Sequence, residues 1–146
     1  MYRFLRLLIA AVLIGCASNA MAQEDHAFTE GQVTSISYIK VKPGMFDAYM
    51  RYLQGTYKQL MEEEKKAGQI VGYSVYQATP RSPQEADLYL TVTYKNWAAL
   101  DGQTVKTDAL VKKIFGSLEK SDTASIDREK MREVLGSETI QELVLK

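Results

Sequence analysis

Hydrophobic positions along the chain change their period several times, and each change marks an element. Through "QVTSISYIKVK" (32–42) β-branched and aromatic residues dominate, which predicts a strand ended by Pro43 and Gly44. Pro43 also suits a helix start, because its fixed φ and missing donor cost nothing in the first turn. From there Phe46, Tyr49, Leu53, Tyr57 and Leu60 recur at spacings of three and four. They predict one face of a helix running to about Ala67 and capped by Gly68. "QIVGYSVYQA" (69–78) predicts a second strand, and the two prolines of "TPRSPQEA" then forbid regular structure. In "DLYLTVTYK" (87–95) Leu88, Leu90, Val92 and Tyr94 alternate with Tyr89, Thr91 and Thr93, a third strand. Asn96 is placed to cap a short helix "WAALD". A longer helix carries Leu110, Val111, Ile114, Phe115 and Leu118, and a further amphipathic segment from about Ser125 to Leu135 stops at Gly136. "ETIQELVLK" (138–146) closes the chain as a fourth strand.

The order β, α, β, β, α, α, β places the chain in the α+β class. It matches a ferredoxin-like split βαβ: helices on one face of a four-stranded antiparallel sheet, with an extra helical segment before the last strand. The other face stays open, and period-two alternation says what lies on it. With Leu88, Leu90 and Val92 toward the helices, Tyr89, Thr91 and Thr93 point away. Val71, Tyr73 and Val75 take the helix side of the second strand and leave Gly72, Ser74 and Tyr76 open. Ile39 and Val41 inward leave Thr34, Ile36, Tyr38 and Lys40 outward. The fourth strand has two equally mixed faces and stays unassigned. An open face of tyrosine, threonine and serine suits a partly wet cavity. There Tyr38, Tyr76 and Tyr89 stack on a planar ligand while their hydroxyls, with Thr91 and Thr93, fix its polar edges. The structural alternative is that these residues are simply good strand formers whose hydroxyls bond to one another across a dimer.

Two stretches carry a family likeness: "YIKVKPGMFDAYMRYL" (38–53), a strand, Pro-Gly corner and helix opening, and "LTVTYKNWAALDG" (90–102), a strand running into a helix that opens with tryptophan. In these the chain resembles the dimeric α+β barrel superfamily, in which two ferredoxin-like sheets pack face to face around a barrel. The closing "REKMREVLGSETIQELVLK" is similar to a group of exported, uncharacterised bacterial members. The resemblance spans residues 32–146 and implies a homodimer. It also implies, as one option, a cofactor-independent monooxygenase or isomerase. Monooxygenases of that group often place a histidine downstream of the tryptophan that Trp97 matches, and no histidine follows Trp97 here.

The first 22 residues set an address. "MYRFLR" carries Arg3 and Arg6 without an acid, and the apolar run "LLIAAVLIG" follows, the pattern of a secretory signal peptide. Ala20, Met21 and Ala22 predict a cut before Gln23. Leu13, Ile14, Gly15 and Cys16 instead resemble a lipoprotein box, in which Cys16 is acylated and anchors the protein to a membrane. The cut before Gln23 is favoured because the polar stretch before it has the usual length. Either way the expected location is periplasmic or secreted, with the lipoprotein as the membrane-anchored alternative and no transmembrane helix. Residues 23–31, "QEDHAFTEG", read as a polar leader into a single domain over 32–146. Without residues 1–22 the chain loses two arginines, leaving 16 basic against 18 acidic residues, a net charge of −2. That balance carries no electrostatic footprint for nucleic acid. Cys16 is the only cysteine, so no disulfide is expected.

Chemistry is sparse. His26 is the only histidine and lies in the leader, which removes histidine-based triads, zinc pairs and an axial histidine for haem in the domain. "KPGMF" has one glycine and is a corner, not the Gly-rich cradle of a flavin or nicotinamide site. The acidic run "EEEKK" (62–66) and the set Arg128, Glu129, Arg132, Glu133 read as solvated faces with helical ion pairs. No metal site and no cofactor is predicted, and no catalytic residue can be named. Three readings follow. The first is a dimeric barrel holding a small planar ligand. The second is a cofactor-independent oxygenase or isomerase using a tyrosine hydroxyl or Lys40 for proton transfer. The third is a purely structural dimer.

Overall fold

The computed structural model describes residues 26–146. The signal peptide over 1–22, the cut before Gln23, Cys16 and leader residues 23–25 lie outside the described residues. Strand β1 spans Phe28–Val41, so Phe28–Gly31 are strand rather than leader. Pro43 and Gly44, the latter at a φ of 75°, turn the chain from β1 into a long helix. That helix is built of α1 (Phe46–Tyr52), a π-helical turn (Leu53–Tyr57) and α2 (Lys58–Lys66), with right-handed helical backbone at each junction. It ends where Gly68, at a φ of 70°, donates to the carbonyl of Lys65 at 3.0 Å, a conformation that costs glycine least. Strands β2 (Gly72–Gln77) and β3 (Leu88–Tyr94) follow, and Asn96 then accepts from the amide of Ala99 to cap a 3-10 turn over Trp97–Leu100. Helices α3 (Gln103–Phe115) and α4 (Leu118–Glu129) lead into β4 (Arg132–Leu145).

The four strands form one antiparallel sheet in the order β2-β3-β1-β4, the ferredoxin-like arrangement that the order of elements predicts. The last helical segment differs from expectation. The helix stops at Glu129, and residues 132–135, read as its last turn, are already paired with β1, Arg132 opposite Val41 and Val134 opposite Ile39. The spacing of Arg128, Glu129, Arg132 and Glu133 mimics a helical face, but the sheet edge outweighs that local preference. These four side chains form no ion pairs with one another. Arg128 donates to the hydroxyl of Tyr52 at 2.7 Å and lies over its ring, and Arg132 lies over the ring of Tyr49, so two guanidiniums bind the α4–β4 junction to α1.

The core lies between the long helix and the sheet. Ile39, Tyr49, Leu53 and Leu88 form one buried cluster, Val33, Met61, Ile70 and Tyr94 a second, and Tyr57 packs against both. Full burial of an aliphatic side chain such as Leu88 contributes about 2 kcal/mol. Val71, expected on the helix side, precedes β2 and is exposed. The acidic run is more than a solvated face. Glu64 is buried and accepts from Thr107 at 3.5 Å, Glu62 accepts from the hydroxyl of Tyr73 at 2.7 Å, and Glu63 pairs with Lys113 of α3. Among the described residues no helix is long and apolar enough to cross a membrane.

Candidate functional site

The helices cover one face of the sheet, and the register fixes what the other presents. Residues directly opposite each other across an antiparallel pair share a face, so three rungs cross the open side. The first runs Tyr76, Tyr89, Tyr38, Gly136, the second Ser74, Thr91, Ile36, Glu138, and the third Gly72, Thr93, Thr34, Ile140. Tyr38, Tyr76, Tyr89, Thr91 and Thr93 therefore share this face, the three tyrosines on a single rung. The fourth strand, unassigned from its pattern, contributes Gly136, Glu138 and Ile140.

Local geometry ties these groups together. The rings of Tyr38 and Tyr89 meet edge to face at 5.2 Å, and opposite Tyr38 the bare Cα of Gly136 leaves open space. The Tyr38 hydroxyl donates to Glu138 Oε1. That hydrogen bond to a carboxylate is the chief cause of a phenol pKa pushed above its ordinary value, so Tyr38 keeps its proton at neutral pH and cannot serve as a base there. The hydroxyls of Thr34 and Thr93 lie 3.3 Å apart, and Thr91 donates to the carbonyl of Ser74 at 3.4 Å. These threonines bond within their own sheet, whereas the Tyr76 side chain is exposed and has no hydrogen-bond partner among the described residues.

At the first rung the face dips into an open cavity of 350 Å³ lined by Tyr38, Tyr89, Thr79, Ala86 and Leu135, with Arg81 and Glu85 at its margin. Tyr76, Thr91 and Thr93 do not line it. Leu135 reaches it through a bulge: β1 steps from Tyr38 to Ile39 while β4 steps from Gly136 to Val134, leaving Leu135 as the extra residue. Arg81 and Glu85 form an ion pair at 3.1 Å, and the Arg81 amide also donates to Glu85 at 2.6 Å. Those bonds hold the Glu85 carboxyl below its ordinary range. Sequence reasoning missed Leu135, Arg81, Glu85 and Glu138. The first lay in a supposed helix, the next two in a segment legible only as irregular, and the last on a strand whose facing a bulge conceals.

Lys40, the candidate proton carrier, is held in an ion pair with Asp87 at 3.0 Å, and Asp87 also accepts the amide of Val41 at 2.8 Å. The amine is thereby engaged as a structural cation rather than left free. His26 is exposed with its ring stacked on Phe28 at 5.5 Å, and it has no acid–base partner among the described residues. Trp97 donates its indole N–H to Gln141 of β4 at 3.0 Å. Among the described residues no three acidic, histidine or cysteine side chains are grouped to hold a metal.

No protein-family model and no curated protein matches the sequence. Solved structures do match the fold. The crystal structure of HapK from Hahella chejuensis is 15% identical and superposes with a TM-score of 0.50 over 75% of this chain and 91% of that one. A dimeric ferredoxin-like protein from an uncultured marine organism is 14% identical, with a TM-score of 0.52 over 80% of this chain and 98% of that one. At such identities the likeness is one of fold. The chain has a ferredoxin-like α+β fold, as the order of its sequence elements implies.

Proposed function

We propose that the protein works outside the cytoplasm as a homodimer whose open sheet faces meet, enclosing a site for a small planar ligand. The observation that carries this reading is the uncovered face itself. Tyr38, Tyr76 and Tyr89 share one rung, Tyr38 and Tyr89 line an open cavity, and no element among the described residues packs over it. An aromatic surface with hydroxyl groups at its margins is the usual lining of a small-molecule site. The dimeric state of one structural neighbour supports the assembly. Tyr38, Tyr76 and Tyr89 supply ring contacts, while Thr91 and Thr93 shape the floor beyond them. Export rests on the residue pattern before Gln23, with acylation at Cys16 as the alternative processing.

Native mass spectrometry on the protein produced from its full-length sequence in a bacterial host tests the proposal. A dimer with an added non-covalent mass is expected, and the denatured mass of the same sample reports whether the chain starts at Gln23 or carries lipid on Cys16. A monomer would overturn the enclosed site. A dry dimer that takes up no small molecule would leave the purely structural assembly in its place.

A further inference from the structure

Glu138 gives the open face a charge that its tyrosines and threonines do not suggest. The carboxylate stands on the middle rung between Ile36 of β1 and the sheet edge, and its one hydrogen-bond partner among the described residues is the phenol of Tyr38. Two cations close to this face are already committed, Lys40 to Asp87 and Arg81 to Glu85. Of the positions that the register places on the face, Lys40 alone is basic. A two-fold dimer is self-complementary, so the partner brings the same face and a second carboxylate in place of a compensating cation. A carboxylate enclosed without a cation is strongly disfavoured, and a phenol partner does not neutralise it.

Resting on the dimeric barrel proposed above, we infer that the enclosed ligand is a planar molecule with a cationic or N–H-rich edge, such as an amidinium or a protonated aromatic amine. Glu138 accepts hydrogen bonds from that edge, and the rings of Tyr38 and Tyr89 lie against the flat body. Charge-assisted bonds to a carboxylate are the strongest polar contacts this face can offer, and tyrosine faces favour cations as well. The Tyr38 hydroxyl engages one oxygen of Glu138, and the other has no hydrogen-bond partner among the described residues.

Benzamidine and benzoate share size and planarity and differ in charge, so they make a matched pair of probes. Calorimetric titration of the dimer, confirmed by light scattering, is expected to show benzamidine binding at least about ten-fold tighter than benzoate. Glu138→Gln is expected to weaken benzamidine by about ten-fold without weakening benzoate. Benzoate binding as tightly as benzamidine, or a dimeric E138Q that binds benzamidine unchanged, would overturn the ligand class while leaving the enclosed site standing. A dimer that binds neither probe would also overturn it, and a monomer would remove the site together with the inference. If E138Q fails to dimerise, the wild-type comparison of the two probes still decides.

Discussion

Tyr49 is almost wholly enclosed between the long helix and the sheet, with the Arg132 guanidinium over its ring. Burial pushes its phenol up to about 12, and the nearby arginines pull only partly against this. In the unfolded chain the same group titrates near its ordinary value of about 10. Between those two pH values the unfolded chain has released a proton that the folded one keeps, so stability is full below about pH 10 and falls as pH rises toward 12. The shift corresponds to a loss of about 3 kcal/mol. Urea melts at about pH 9 and pH 11.5 are expected to show this fall, and Tyr49→Phe is expected to flatten it, with the slope smaller by about one proton. Tyr57 is pushed up by the same burial, so part of the slope persists in the variant. That Tyr49 belongs to the core was legible from its place in the 3-4 spacing. Its guanidinium partner was not, because Arg132 reads as the continuation of a helix until its pairing with β1 is known.

The helix from Phe46 to Lys66 contains an element that no spacing announced, the π-turn over Leu53–Tyr57. An extra residue in one turn shifts the apolar stripe, so that Tyr49 and Leu53 face one core cluster and Met61 faces the other. Gly55 sits inside that turn, is not among the positive-φ glycines and has nothing within 4 Å of where a Cβ would be. Gly55→Ala is therefore expected to stabilise the protein by about 0.5–1 kcal/mol, seen as a higher thermal midpoint. Were this turn to need glycine for close approach, the variant would be less stable. Among the strands, legibility followed regularity. β3 alternates without interruption and its faces follow directly from Leu88 through Tyr94. β4 carries the extra residue Leu135, which shifts the alternation partway along, and it is exposed over most of its length, so neither of its faces stands out as apolar. Glu138 was hidden for that reason.

At the scale of the whole molecule, the open face predicts where the proposed dimer can be broken. Ile140 lies opposite Thr34 on the third rung and is exposed in the single chain. Ile140→Glu is expected to turn the dimer into a monomer in light scattering with an unchanged far-UV spectrum, because it adds a charge to a seam that already carries Glu138. Val105→Glu, at an exposed position on helix α3, is expected to leave the dimer intact. If both variants stay dimeric, the chains meet through another surface. The strand order also governs when the molecule can come into being. The longest pairing in the sheet joins its first strand to its last, with Phe28 opposite Leu145 and Val41 opposite Arg132. Closing so long a stretch of chain is slow, since its entropy must be lost before the paired contacts offset it. The two halves of the ribbon are the last parts of the chain to be made adjacent, and β1 has a neighbour on only one side until they are. During synthesis the sheet therefore cannot close until β4 has been made, and β1 gains its second neighbour late.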